Sequence, residues 1–224
     1  KTQFADAAGH LGLVDKILDR LVHHQGPAAR TGSARDPEGD AAKAASAGVS
    51  VLFTPPLEEM YPQGRQAVLT GVEVSGLSSV MEGVSRRTHF GGVCTVVAKL
   101  FNIVGECRAY FGEKDYQQLA ILRQMVTDLS FPVDVVGRPT VREPDGLAMS
   151  SRNVNLSAEE RRVAPVLARA LQAGADLITG GERDAAVIRS TMAAVIEAAP
   201  LGALDYVEVA DARTLQPLTV ASTD

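Results

Sequence analysis

A strand-and-helix alternation between residues 91 and 136 constrains this chain more than any other feature. Val93, Val96, Val97, Leu100, Phe101 and Val104 recur at helical spacing, which predicts an amphipathic helix over 91–104. Ala109-Tyr110-Phe111 follows as a short strand. Leu119, Leu122, Met125, Val126 and Leu129 then share one face of a helix over 115–129. Val133-Asp134-Val135-Val136, behind Pro132, is the next strand. Strands that alternate with helices build parallel sheets, because a parallel neighbour needs a long crossover. The expected fold class is therefore α/β.

Val51-Leu52-Phe53 reads as a further short strand, stopped by Thr54-Pro55-Pro56. The character changes near Val141. Ser157, with Glu160 three residues on, has the capping-box pattern that opens a long helix within 153–181. A second helix is expected over 185–198, and Tyr206-Val207-Glu208-Val209 alternates like a strand. Helices followed by a strand suggest a smaller second domain, dividing the chain into 1–141 and 142–224. Residues 22–40 are rich in Gly, Ala, Arg and Pro without periodicity and read as a loop.

Bulk properties exclude several classes. A net charge of −5 argues against a general nucleic-acid surface, while leaving room for a small basic pocket. No apolar run reaches the ~18 residues of a membrane span. Residues 1–10 lack the apolar stretch of a signal peptide. A cytoplasmic protein is expected, with Cys94 and Cys107 as reduced thiols, since their spacing suits no metal. Aromatic residues are 4% of the chain and tryptophan is absent, so the core must be aliphatic.

The chemistry concentrates where strands give out. Gly112-Glu113-Lys114-Asp115-Tyr116-Gln117-Gln118 follows one strand, and Met149-Ser150-Ser151-Arg152-Asn153 follows the next across a longer loop. In open α/β sheets, ligands sit outside the carboxyl ends of the strands. Lysine offers phosphate a point charge and arginine a fork, so Lys114, Ser150, Ser151 and Arg152 would suit a phosphate cradle. A plain strand-to-helix turn with Asp115 as N-cap also fits the first run. That reading explains Lys114, Gln117 and Gln118 less well, and a nucleotide site is favoured. The second run taken alone fits a polar interdomain loop as readily; its position after a strand favours phosphate.

His89, in Arg86-Arg87-Thr88-His89-Phe90-Gly91-Gly92, fits either an exposed basic loop or an anion site at a helix N-terminus. Gly9-His10 is a weak sign of a helix start at a nucleotide site, since a lone histidine is more often structural. Glu82 and Asp40 read by default as solvated carboxylates, and Asp145 in Pro144-Asp145-Gly146 as a turn residue. There is no GxxxxGK[ST] loop and no GxGxxG after a strand, which disfavours P-loop kinases and dinucleotide dehydrogenases.

Three stretches carry a resemblance. They are Thr88-His89-Phe90-Gly91-Gly92-Val93, Tyr110-Phe111-Gly112-Glu113-Lys114-Asp115-Tyr116-Gln117-Gln118, and Pro139-Thr140-Val141-Arg142-Glu143-Pro144-Asp145-Gly146-Leu147-Ala148-Met149-Ser150-Ser151-Arg152-Asn153. In order and spacing, over roughly residues 36–209, they closely resemble the pantothenate synthetase (pantoate–β-alanine ligase) family. The resemblance implies a Rossmann-like, nucleotidyltransferase-type parallel sheet with a small C-terminal α+β lid domain. It implies ATP and Mg2+, pantoate and β-alanine as substrates, a pantoyl-adenylate intermediate, and a homodimer. Lys114, Ser150, Ser151 and Arg152 fall at its triphosphate positions, and Gly9, Gly112, Glu113, Asp115, Val141 and Met149 around its nucleotide. Gln118 falls at a pantoate contact, and His89 and Glu82 near the acyl-acceptor pocket. Asp40 falls near a magnesium-binding carboxylate. His10 takes the family's proton-donor position, so His10, Lys114 and Arg152 are the expected catalytic residues.

The amino-terminal part departs from the family. Ala7 stands where its first histidine belongs and Gln3 where a methionine belongs. The loop over 23–35 stands in place of a second strand and its pantoate-binding glutamine. The first strand is also expected to be missing, and the closing strands to lie beyond Asp224. The alternative that follows is a catalytically impaired, nucleotide-binding remnant of the ligase.

Overall fold

Strand β1 (Cys107–Gly112) lies parallel to β2 (Val133–Arg138), with Cys107 opposite Val133 and Gly112 opposite Arg138. This is a computed structural model that describes residues 37–222. The chain divides into two compact units, Lys1–Pro139 and Thr140–Asp224.

In the first unit, helix α1 (Pro37–Ser46) is followed by irregular chain with short helical turns. Helix α2 (His89–Val104) then leads into β1, and α3 (Tyr116–Asp128) crosses over from β1 to β2. Both helices bury most of the face that the periodicity marked, although its last members, Val104 and Leu129, are exposed. Val93, Cys94, Val96 and Val97 from α2 meet Leu119, Ile121, Leu122 and Met125 from α3, all almost fully inaccessible. Burying each large aliphatic side chain contributes about 2 kcal/mol. The most deeply buried side chains are aliphatic or sulfur-containing, but Tyr61, Phe90, Phe101 and Phe111 are buried in the same core, so it is not aliphatic alone. The edge-on pair Phe101 and Phe131, 5.7 Å between centroids, closes one side. Gly137 lets strand and helix approach: a Cβ there would stand 2.9 Å from Leu119 Cδ2 and 3.1 Å from a Glu113 carboxylate oxygen.

Two expectations fail in this unit. Residues 51–53 form no strand among the described residues, and Val51, Leu52 and Phe53 are exposed. Pro55 and Pro56 lack backbone donors, and a strand exists only where a neighbour completes its ladder. The loop expected over 22–40 gives way to helix at Pro37. Proline is favoured in a helix's first turn, and Glu38 and Asp40 complement its dipole. The rest of that loop lies outside the described residues.

The second unit opens with a tight hairpin. Met149 N–H donates to Val141 C=O at 2.9 Å, Arg142 bridges Ala148, and the turn closes at Gly146, whose φ is +91°. The helix expected within 153–181 is two helices, α4 (Ala158–Val163) and α5 (Val166–Thr179). Pro165 between them has no N–H for an intrahelical bond. The capping box at Ser157 and Glu160 is present, with bonds of 3.2 and 2.7 Å. Helix α6 (Ala185–Glu197) packs on α5 through Ala170, Ile188, Met192 and Ile196. Gly174 permits that contact, since a Cβ there would meet Met192 Sδ at 2.7 Å. The extended chain expected at 206–209 sits slightly later. Ala210 bridges Pro217, Leu218 N–H donates to Val209 C=O, and Asp184 bridges Val220. Tyr206 itself is exposed and unladdered, so alternation alone misplaced the pairing.

Candidate functional site

The parallel register puts the carboxyl ends of both strands at one edge, because Gly112 and Arg138 are partners. From that edge β1 passes through a single 3-10 turn, Glu113–Asp115, into α3. Lys114 is solvent-accessible there, and its Nζ lies 2.8 Å from Asp115 Oδ2. Asp115 occupies the N-cap position of α3, but its side chain makes no capping bond. The capping bond that the plain-turn reading called for is thus absent, and the carboxylate faces Lys114 instead.

Gln117 and Gln118 separate sharply. Gln117 is 8% exposed and turns inward. Its Nε2 donates to the Leu77 and Val80 carbonyls, each at 2.8 Å, and its Oε1 accepts from Glu82 N–H at 3.2 Å. Gln118 is half-buried and its amide has no hydrogen bond within the described residues. Adjacent helical residues point about 100° apart. One glutamine therefore braces the fold while the next is available to a ligand.

Glu82 and His89 are brought together by Arg86, which the sequence alone shows only as one charge in a basic loop. Arg86 Nη1 lies 3.1 Å from Glu82 Oε1, and Arg86 Nη2 lies 3.2 Å from His89 Nδ1. The i, i+4 spacing of Glu82 and Arg86 was the available signal. A guanidinium has no acceptor, so this contact is a hydrogen bond in the tautomer that leaves His89 Nδ1 unprotonated. Arg65, Glu73, Arg86, Arg87, His89 and Thr95 are among the residues around an open cleft of about 780 Å³ in this unit.

In the second unit the expected phosphate run follows the hairpin. Ser150 caps a 3-10 turn, Ser151–Asn155, its Oγ accepting from Arg152 N–H at 3.2 Å. Its own O–H proton remains to be donated. Asn153 Nδ2 donates to Ala148 C=O at 3.1 Å, tying the turn to the hairpin. Val141 and Ser151 are half-buried, and Met149 and Arg152 are exposed. Asp145, the expected turn residue, accepts from Leu147 N–H and pairs with Arg161. The Arg161 hydrogen bond holds its carboxyl below the usual range.

Asp40 lies in α1, 4.0 Å from Lys43. Among the described residues no group of three or more His, Cys, Asp or Glu could hold a metal ion. A single carboxylate does suit Mg2+ that takes its remaining ligands from substrate phosphates and water. Cys94 is buried, which pushes its thiol up to about 11, and burial also raises that of Cys107. Neither thiol is poised to react. Among the described residues no helix is long and apolar enough to cross a membrane. Gly9, His10, Gln3 and Ala7 lie outside the described residues.

Residues 33–223 match the family model described as pantoate-beta-alanine ligase. The pantothenate synthetase of Moorella thermoacetica is 55% identical over 184 residues, covering 82% of this chain and 64% of that protein. The pantothenate synthetase of Heliobacterium modesticaldum gives the same identity and coverage. The chain thus spans just under two-thirds of these relatives' length. The crystal structure of pantothenate synthetase from Thermus thermophilus superposes with a TM-score of 0.86 at 44% identity, covering 97% of this chain and 82% of that one. The pantoate-beta-alanine ligase of Francisella tularensis, complexed with beta-gamma ATP and beta-alanine, gives a TM-score of 0.59 at 31% identity over 72% of this chain and 59% of that one.

Proposed function

The chain belongs to the pantoate–β-alanine ligase family, and from that premise we propose that it joins pantoate and β-alanine to form pantothenate at the expense of ATP. A pantoate carboxylate oxygen attacks the α-phosphorus, giving pantoyl adenylate and releasing pyrophosphate. The β-alanine amine then attacks the acyl carbon, loses a proton, and expels AMP.

One observation carries this reading most directly. The run containing Lys114 stands at the shared carboxyl edge of two parallel strands, where α/β sheets bind ligands. Adenylation builds negative charge on phosphate oxygens, so its catalysis is placement plus electrostatic stabilisation. Lys114 supplies a point charge, Ser150 and Ser151 hydroxyl donors, and Arg152 a fork. Gly112, Glu113, Asp115, Val141 and Met149 shape the nucleotide's surroundings. Gln118 addresses pantoate with its uncommitted amide. Glu82 and His89 serve the acyl acceptor, and Gly9 and His10 act at the nucleotide, with His10 as proton donor. Asp40 would supply one ligand to Mg2+, which would neutralise phosphate charge. The protein works in the cytoplasm as a homodimer, with the second unit as a lid.

The test is direct. ATP, Mg2+ and pantoate should give pyrophosphate, and adding β-alanine should give AMP and pantothenate. ATP binding without pyrophosphate release would identify the nucleotide-binding remnant instead.

A further inference from the structure

The turn over residues 77–82 is held in a conformation that its own sequence does not favour. Met81 has φ +48° and ψ −122°, outside the regions that side-chain-bearing residues prefer. Gly83 packs so closely that a Cβ would stand 2.0 Å from the Ser78 carbonyl oxygen. Glu82 begins a single helical turn, Glu82–Ser85, so its N–H has no intrahelical acceptor. Strained backbone of this kind persists only where its surroundings over-determine it.

Gln117 supplies that determination from 35 to 40 residues away, through the Leu77 and Val80 carbonyls and the Glu82 amide. All of its side-chain bonds go to main chain, and it sits two residues beyond Asp115 at the start of α3. The linkage continues outward. The Glu82 carboxylate holds Arg86, and Arg86 meets His89 Nδ1.

We propose that Gln117 is a positioning residue. Its buried amide locks the 77–82 turn against the start of α3, and so sets where Glu82, Arg86 and His89 stand relative to the loop that carries Lys114 and Gln118. This rests on the reading above in one respect, that Glu82 and His89 serve the acyl acceptor. The second half-reaction should then depend on Gln117 more than the first.

Two measurements decide it. In the wild-type chain, amide hydrogen exchange should show the Glu82 N–H protected at least about tenfold, because Gln117 Oε1 is the acceptor that holds it. Exchange at the unprotected rate overturns the proposal, whether or not the protein is a ligase. Gln117→Glu keeps the shape but cannot donate to both carbonyls. It should raise the β-alanine KM about tenfold and leave pantoate-dependent pyrophosphate release within about twofold. Equal losses in both half-reactions, or none in either, overturn it. If the wild type releases no pyrophosphate, the ligase reading falls, and exchange at Glu82 alone judges Gln117. The same holds if Gln117→Glu does not fold.

Discussion

The loop that carries Lys114 and the loop that carries Ser150 and Arg152 are fixed by different kinds of force. The first hangs between a strand in a parallel ladder and a helix whose inward face is fully buried. Its position is set by backbone pairing and aliphatic packing, and the Lys114 ammonium pairs with its own neighbour, Asp115. The second has no regular strand behind it. Its shape depends on side chains: Asp145 with Arg161, Asn153 with Ala148, and Ser150 with the Arg152 amide. In the first region, then, architecture and proposed chemistry reside in different residues. In the second they share residues, so a change made to probe chemistry also disturbs structure.

Four experiments test that contrast. Lys114→Ala should cut pantothenate formation by a factor of about 100–1,000, the scale of losing one preorganised donor to developing charge. Because its ion pair is local and exposed, the melting temperature should stay within about 2 °C of the wild type, and a drop of about 10 °C would mean that the loop is not independently supported. Leu119→Ala should do the reverse. It removes a fully buried side chain between helix and sheet and should cost about 2–5 kcal/mol in denaturant unfolding.

Ser150→Ala should show the mixed behaviour of the second region. Loss of the cap should cost about 1 kcal/mol, and loss of a phosphate donor should reduce turnover about tenfold. An effect on turnover with no stability change would place this loop in the same class as the first.

The smallest effect concerns acid. The folded-state carboxyl of Asp145 is lowered by the Arg161 hydrogen bond. The stability from this pairing is therefore present above the unfolded value, near 3.8, and is lost as pH falls through the lower folded value. Asp145→Asn should reduce the fall in melting temperature between about pH 6 and about pH 3. Because the pair is exposed and screened, the difference should be slight.

The alternation over 91–136 was legible because amphipathic periodicity reports directly which face is buried. The capping box at Ser157 was legible because it is local, closed within four residues. The hairpin after Val141 was partly legible through Pro144-Asp145-Gly146, whose glycine takes the left-handed conformation the turn requires. Residues 51–53 and 206–209 misled because extended chain becomes a strand only with a partner, and the partner is not written in the segment. The role of Arg86 was hidden since a charge in a basic loop shows nothing until its neighbours are placed.

What the sequence determined alone was short-range: helix faces, caps, turn residues, and which loops carry cations and hydroxyls. Those depend on contacts within a few residues. Tertiary structure alone decided which of two adjacent glutamines turns inward. That choice rests on main-chain groups 35 to 40 residues away, and only the folded chain brings them within hydrogen-bond reach.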